Sequence, residues 1–305
     1  MKKIICFRNS KLGDYLISIP ALKLIKKNNP ECKIFYLSAK NNLVSKLPNI
    51  IEGNKIVDKF IYYDHNFWGL LKLFKYFKTK MFTKIYYIQE KPNIFRETRD
   101  YIYFYLLGVS KIYGFFEKRM NYLYNSETYQ IAKRINKKIN KNEIYNLMSF
   151  KYKIDKRILN YKYITISIGG FSQPQVWSLK NWSRLLNLLS TNYNFKIVIL
   201  GTKDDIKNSL ELLKQNKKTL LSFCGKTNIN QLLNIIKFSE LHITNDNGSM
   251  HVASLFQKKT LCLFNNHDPI GKWHPANKNS KILRSEEGVN SINPYKVFKK
   301  ITQML

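Results

Sequence analysis

Short runs of β-branched and aromatic residues alternate along the chain with longer stretches in which apolar positions recur every three or four residues. In the first half this pattern predicts strands at 3–7 (KIICF), 33–38 (KIFYLS), 59–63 (KFIYY), 84–88 (KIYYI) and 111–116 (KIYGFF). Helical stretches lie between them. The first covers 14–28, where Leu16, Ile17, Ile19, Leu22, Leu24 and Ile25 form a broad apolar face. Pro20 either kinks that helix or marks where its regular part begins. Residues 67–82 (FWGLLKLFKYFKTKMF) interleave aromatics with Lys72, Lys75, Lys78 and Lys80. This segment reads either as a helix lying on anionic lipid or as a core helix with a solvated lysine stripe.

The second half predicts strands at 163–168, 196–201, 219–224, 241–244 and 260–264, with helices at 181–191, 203–215, 229–239 and 249–257. The chain then closes on a helix capped by Asn293, with Pro294 in its first position. Such alternation implies parallel sheets covered on both faces, here as two Rossmann-like α/β domains with a cleft between them. The boundaries are placed at 1–155 and 156–305, with a linker near 150–160 at the end of a basic stretch that lacks a clean apolar period. No solenoid-length repeat is evident.

The length of 305 residues suits two such domains, and 44% hydrophobic content supports a real core. The formal net charge is +32. Residues 1–150 hold 28 basic and 11 acidic residues, and residues 151–305 hold 24 and 9. So even a spread argues for compositional background, shared with abundant Asn, Ile, Tyr and Phe, over a dedicated polyanion patch. It still leaves a surface that attracts anions. A nucleic-acid partner is not expected, because no helix-turn-helix, finger or RNP-like motif accompanies the charge. The cysteines at 6, 32, 224 and 262 form no CxxC pair, which points to reduced, buried thiols and a cytoplasmic setting. The apolar run in MKKIICFRNS is too short for a signal peptide, and no segment reaches the length of a membrane span; the longest candidate is 101–109.

Two strand-to-helix turns carry candidate chemistry, because open α/β sheets bind ligands beyond the carboxyl ends of their strands. In RNSKLGD, Gly13 permits a tight turn and Asp14 stands at the mouth of a helix. There Asp14 is either an N-cap or a general base that takes a proton from an attacking sugar hydroxyl. Arg8 and Lys11 accompany it. The loop is not GxGxxG, so a dinucleotide fingerprint is absent. In TNDNGSMHVASLF, the amides of Asn247, Gly248 and Ser249 open a helix and can hold a phosphate, with Asp246 and His251 flanking them and Met250 between. His251 alone reads as a packed helix histidine; strand, D-x-G-x-x-H and small-residue helix together read as a site. His251, His267, His274, Asp246 and Asp268 could also suggest a metal, but their spacing fits no common zinc pattern, and none is expected.

Residues 246–275, DNGSMHVASLFQKKTLCLFNNHDPIGKWHP, resemble the signature of the heptosyltransferase-type glycosyltransferases, glycosyltransferase family nine. Asp246, Gly248, His251 and Ala253 match its D-[ST]-G-x-x-H-[LM]-A, and Asp268, Pro269, Trp273 and Pro275 follow in order. GDYLISIPALKLIKKNNP is similar to the family's opening, VWSLKNWSRLL to its W-P segment, and GKTNINQLL to its G-K-T stretch; residues 60–160 match little. The resemblance implies a GT-B fold whose second domain holds the nucleotide sugar. It implies an inverting, metal-independent transfer, with heptose from ADP-heptose as the first expectation, onto a lipid-linked lipopolysaccharide or lipooligosaccharide core. The donor and the acceptor are then the partners, and no cofactor is required. The setting would be the inner face of the cytoplasmic membrane, with peripheral contact to anionic lipid. Carried over, Asp14 is the base, Asp246 to His251 bind the donor, and Asp204 or Asp205 faces the ribose. The family's usual cation is missing near Val176, Ser178 replaces a proline, Asn247 replaces Ser or Thr, and Lys180 is the substitute cation one turn away. A nucleic-acid-binding protein and a catalytically silent sugar-nucleotide binder are the competing readings.

Overall fold

The computed structural model describes residues 2–40, 56–90, 93–118, 120–122, 125–149, 158–170, 176–215 and 219–305. Most of the linker expected near 150–160 lies outside them. Contacts divide the chain into two compact units, Met1–Tyr152 and Lys153–Leu305.

Unit 1 is built on β1 (Lys3–Phe7), β2 (Lys33–Ala39), β3 (Lys59–Tyr63), β4 (Lys84–Tyr87) and β5 (Lys111–Tyr113). All pair in parallel in the order β3-β2-β1-β4-β5, with Cys6 opposite both Tyr36 and Tyr86. Side chains alternate between the two faces of each strand. Phe7, Phe35, Ile85 and Tyr87 point to one face, where they share a core with Leu73 and Phe77 of α2 (Phe67–Lys80) and Phe104 of α3 (Ile94–Leu106). Tyr36 and Phe60 point to the other, where the Tyr15 ring of α1 (Leu12–Asn28) packs edge-on against Tyr36 and tilted against Phe60, with centroids 5.1 and 5.8 Å away. Helices α4 (Glu127–Ile135) and α5 (Lys141–Met148) complete the unit. Helix α1 starts earlier than 14 and runs through Pro20. The strand expected at 111–116 stops at Tyr113, beyond which Gly114 and Phe116 take positive φ.

Unit 2 contains β6 (Tyr163–Ser167), α6 (Leu179–Asn192), β7 (Lys196–Leu200), α7 (Ile206–Gln215), β8 (Leu220–Ser222), α8 (Ile229–Phe238), β9 (His242–Asn245), α9 (Gly248–Leu255), β10 (Thr260–Phe264), β11 (Ser280–Arg284) and α10 (Pro294–Met304). Its parallel sheet runs β11-β10-β9-β6-β7-β8. Strand β11 was not anticipated: SKILR is half-buried at the sheet edge, so it lacks the apolar run that marks the central strands. The helix expected over 203–215 opens instead with a short 3-10 turn, Lys203–Asp205. Trp177, Trp182, Leu185 and Leu189 form the centre of this core. Asparagine is the recurrent cap here, its side chain accepting a backbone N–H at the start of α2, α3, α5, α8, α9 and α10. The four cysteines are buried free thiols. No helix among the described residues is long and apolar enough to cross a membrane.

Candidate active-site elements

In each sheet the chain winds outward on one side and then restarts on the other. That topology opens the carboxyl ends of two adjacent strands: β1 and β4 in unit 1, β6 and β9 in unit 2. Both candidate turns sit at these two places.

The turn after β1 is clasped to the end of β4. Arg8 is fully buried; its Nη1 donates to the Ile88 carbonyl at 2.7 Å and its Nη2 to Asp14 Oδ1 at 3.2 Å. Asn9 N–H donates to Gln89 Oε1 at 2.8 Å, and Asn9 Oδ1 accepts from Ala39 N–H and the Tyr63 hydroxyl. Behind Arg8 lies buried Glu127, whose Oε1 is 3.8 Å from Arg8 Nη1 and 3.9 Å from Arg134 Nη2. Tyr122 Oη donates to Glu127 at 3.1 Å, and Arg134 Nη1 donates to the Gln89 carbonyl. The result is a chain of alternating charge, Arg134–Glu127–Arg8–Asp14. Burial opposes charge on Arg8, but Asp14 and Glu127 outweigh it and hold the guanidinium above its ordinary value. Burial dominates at Arg134, which is lowered despite Glu127.

This geometry corrects three expectations. Lys11, not Asp14, occupies the N-cap position of α1; Asp14 is the third helical residue and accepts the Lys11 N–H at 3.1 Å. Gly13 lies within the first helical turn without a positive φ, so no left-handed conformation explains it. Arg8 is an internal clasp, not an exposed loop cation. Asp14 stays partly accessible, and Lys11 is exposed.

The turn after β9 is held to the end of β6 by neutral groups. Asn245 Nδ2 donates to the carbonyls of Ile168 and Gly169 at 2.7 and 3.2 Å, and its Oδ1 accepts the Trp177 N–H. Asn247 Nδ2 donates to the Gly169 carbonyl at 2.8 Å and to Ser167 Oγ at 3.2 Å. Asn247 Oδ1 caps α9 by accepting Ser249 N–H at 2.9 Å, and it also accepts Ser249 Oγ–H at 2.6 Å. His242 lies between two hydroxyls, its Nε2 2.8 Å from Ser249 Oγ and its Nδ1 2.9 Å from Thr165 Oγ1. Burial pushes His242 down to about 3, so the ring is neutral, one nitrogen donating and the other accepting.

The reading of this turn changes at Ser249 and Met250. Ser249 does not cap the helix; Asn247 does, and the Ser249 amide is already bonded. Gly248, at the first helical position, has no positive φ. Met250 packs its side chain with Cys262 and Phe264, and its N–H donates to the Asn247 carbonyl at 3.3 Å. The amides of Asn247 and Gly248 remain without a hydrogen bond among the described residues and are partly exposed. Asp246 is buried beside them. Burial chiefly, then the nearby Asp268, pushes it up to about 7, with Lys272 pulling the other way. Lys272 Nζ sits 3.8 Å from Asp268 Oδ1 and 4.7 Å above the Trp273 ring, while Arg284 donates twice to the Asp268 carbonyl at 3.1 Å.

Asp205 is half-exposed and its Oδ2 is engaged locally. It closes the turn after β7 by accepting Thr202 N–H and Oγ1–H at 2.7 and 3.0 Å, and a Cβ on Gly169 or Gly201 would collide with it. Its neighbour Asp204 is exposed. Lys180 is exposed in the first turn of α6, which Ser178 caps in place of the usual proline. His251 is buried. Most of the segment before Val176, residues 171–175, lies outside the described residues. Among the described residues no three His, Cys, Asp or Glu side chains gather to hold a metal ion. Glu127, Arg134, His242 and Asn245 escaped the sequence reading. The available signals were Glu127 and Arg134 seven apart on one helix face, and a run of polar residues, His242, Thr244 and Asn245, inside a fully buried central strand.

Against known families, residues 115–301 match glycosyltransferase family 9 (heptosyltransferase). The chain belongs to that family. Among curated relatives it is 26% identical over 121 residues to a lipooligosaccharide heptosyltransferase 2 of Campylobacter jejuni, an alignment spanning 38% of this chain and 37% of that protein. It is 22% identical to the lipopolysaccharide core heptosyltransferase OpsX of Haemophilus influenzae, across 88% of this chain and 80% of the relative. Among solved structures, ADP-heptose lps heptosyltransferase II of E. coli superposes with a TM-score of 0.74 at 15% identity, covering 100% of this chain and 98% of that one. E. coli heptosyltransferase WaaC with ADP gives 0.73 at 12%, covering 99% and 100%. These likenesses give this family 9 chain the GT-B fold: two parallel α/β sheets of five and six strands.

Proposed function

We propose that this family 9 protein is an inverting glycosyltransferase that moves a sugar from a nucleoside diphosphate, ADP-heptose first, onto a lipid-linked saccharide of the lipopolysaccharide or lipooligosaccharide core. The observation that carries this reading is the turn after β9. At the start of α9 the amides of Asn247 and Gly248, which have no hydrogen bond among the described residues, are held by the neutral Asn247–Ser249–His242 network, and Lys272 acts on the neighbouring Asp246. Amides aimed in advance at a departing diphosphate stabilise its growing charge without reorganisation. In the displacement, the acceptor hydroxyl forms the new bond to the anomeric carbon, the bond to the diphosphate breaks, and Asp14 takes the hydroxyl proton. Arg8 and the Lys11 amide orient that carboxylate. Unit 2 is assigned the donor, with Asp204 offered to the ribose and Lys180 or Lys272 to the phosphates. Unit 1 is assigned the acceptor. The reaction is assigned no resident metal or cofactor.

The name of a curated relative supports the acceptor class, and a structural neighbour crystallised with ADP supports the nucleotide. A panel of ADP-, GDP- and UDP-sugars read by thermal shift tests the donor. Stabilisation by ADP-heptose, followed by ADP release and a product of inverted anomeric configuration with a core acceptor, is expected. Donor binding without ADP release with any acceptor would make this a silent homologue. Steeply salt-dependent duplex DNA binding, with no nucleotide binding, would move it to another class.

A further inference from the structure

Helices α2 and α3 lie side by side on one face of the unit 1 sheet: Tyr103 Oη donates to the Leu70 carbonyl at 3.1 Å, and the Phe77 and Phe104 rings are 6.4 Å apart. Their inward residues fill the core described above. A surface helix normally turns polar residues outward, but α3 does not. Phe95, Arg99, Ile102 and Leu106, at spacings of four, three and four, form its outward stripe; the three apolar members are 82%, 50% and 60% exposed. On α2 the outward stripe is Trp68, Lys72 and Lys75, with Trp68 68% exposed. The two acids on these helices are turned inward. Glu97 is buried and accepts the Phe116 N–H, while Asp100 is held by Arg99 at 2.6 Å and by Tyr87 Oη at 3.0 Å. Every exposed charge on the pair is therefore cationic: Lys72, Lys75, Lys78, Lys80, Arg96 and Arg99.

We propose that this α2–α3 face docks on an anionic lipid bilayer, its aromatic and aliphatic side chains in the interface and its lysines and arginines on headgroup phosphates. The combination decides the occupant. Protein-binding surfaces favour aromatics and arginine but are depleted in lysine, whereas interfacial helices combine large apolar side chains with a lysine-rich flank. The face also has a direction. The N-termini of α2 and α3 follow β3 and β4, so Phe67, Trp68, Ile94 and Phe95 lie at the carboxyl edge of the sheet, the edge that carries Asp14. A lipid-anchored acceptor would present its saccharide along that edge; this purpose rests on the transferase reading, whereas the docking itself does not.

The test uses the full chain and vesicles of phosphatidylcholine alone or mixed in equal parts with phosphatidylglycerol, without donor or acceptor. Binding to the mixed vesicles is expected, with a blue shift of Trp68 emission and its quenching by brominated lipid. Trp177 and Trp182 are fully buried and half-buried Trp273 lies in unit 2 beneath Lys272, outside this face's two helices, so Trp68→Phe should remove most of the quenchable signal. Phe95→Ser/Ile102→Ser/Leu106→Ser should keep the thermal midpoint, since these side chains are exposed, yet weaken partitioning by at least about tenfold and abolish salt-resistant binding. Lys72→Glu/Lys75→Glu should weaken it about tenfold or more at low salt. Wild-type partitioning by the triple variant would overturn the proposal. So would unmoved Trp68 emission on bound vesicles, or a wild-type dimer that the triple variant converts to monomer. In a parallel assay with ADP-heptose and a core acceptor, vesicle binding without sugar transfer would sink the transferase reading alone; transfer to a lipid-free acceptor with no vesicle binding would sink the docking alone.

Discussion

In unit 1 the first strand of the switch-point pair, β1, runs into Arg8; in unit 2 it is the second strand of the pair, β9, that ends in Asn245. Both side chains reach across to the carbonyls of the neighbouring strand end, Ile88 in one case and Ile168 and Gly169 in the other. The first clasp is ionic and extends inward through Glu127 to Arg134. The second is made of amides, hydroxyls and a neutral histidine. On the proposed reading the difference follows what each turn presents. A carboxylate proposed to remove a proton is aimed well by a guanidinium, whose rigid fork fixes direction. A bed proposed for an anionic diphosphate is held by neutral amides and hydroxyls, with Asp246 beside it raised toward its neutral form.

The sharpest way to break this comparison is Asp14→Asn. It should cut turnover by about a hundred- to ten-thousandfold while leaving donor affinity nearly unchanged, read by steady-state kinetics beside calorimetry; wild-type turnover would remove Asp14 as the base. Next is Glu127→Ala, which leaves two buried guanidinium groups facing each other. It should cost about 3–5 kcal/mol in denaturant unfolding, far more than loss of an exposed ion pair. Asn247→Ala removes a cap and two cross-strand bonds from the neutral clasp. It should cost about 1–2 kcal/mol and weaken ADP-sugar binding, which Glu127→Ala should leave largely intact provided the protein folds.

The last comparison is one of pH. Asp246, raised to about 7, gives the folded state an extra proton above the ordinary carboxylate range, so stability falls as pH climbs from about 4 to 7. His242, lowered to about 3, keeps the folded state neutral where the unfolded chain is protonated, so stability falls as pH drops below about 6.5. The two slopes oppose each other between about pH 4 and 6.5. Asp246→Asn should remove one of them and expose the other, giving a variant whose thermal midpoint declines on acidification more steeply than the wild type's.

Much of the architecture was legible in advance because central strands of parallel sheets are apolar on both faces and announce themselves as runs: YITIS, KIVIL and TLCLF each occupy their expected place. Edge elements were not. SKILR alternates weakly and pairs on one side only, and KIYGFF loses its end to two positive-φ positions. Around the turns, Asp14 and the segment 246–251 stood out because a small or polar residue directly after an apolar strand is conspicuous. Their supports did not, since Glu127 serves Arg8 from more than a hundred residues away, and His242 reads locally as a strand residue like its neighbours.

The order of hydrophobic and polar residues was by itself enough to determine that this chain makes two α/β units, and to mark the strand ends that carry the candidate turns, because periodicity and turn chemistry act over a few residues. Which groups there are already satisfied, which carboxyl is held by a guanidinium and which is driven toward its neutral form, was decided only in three dimensions. Hydrogen bonding and desolvation depend on what the fold brings within about 3 Å, and no local pattern carries that information.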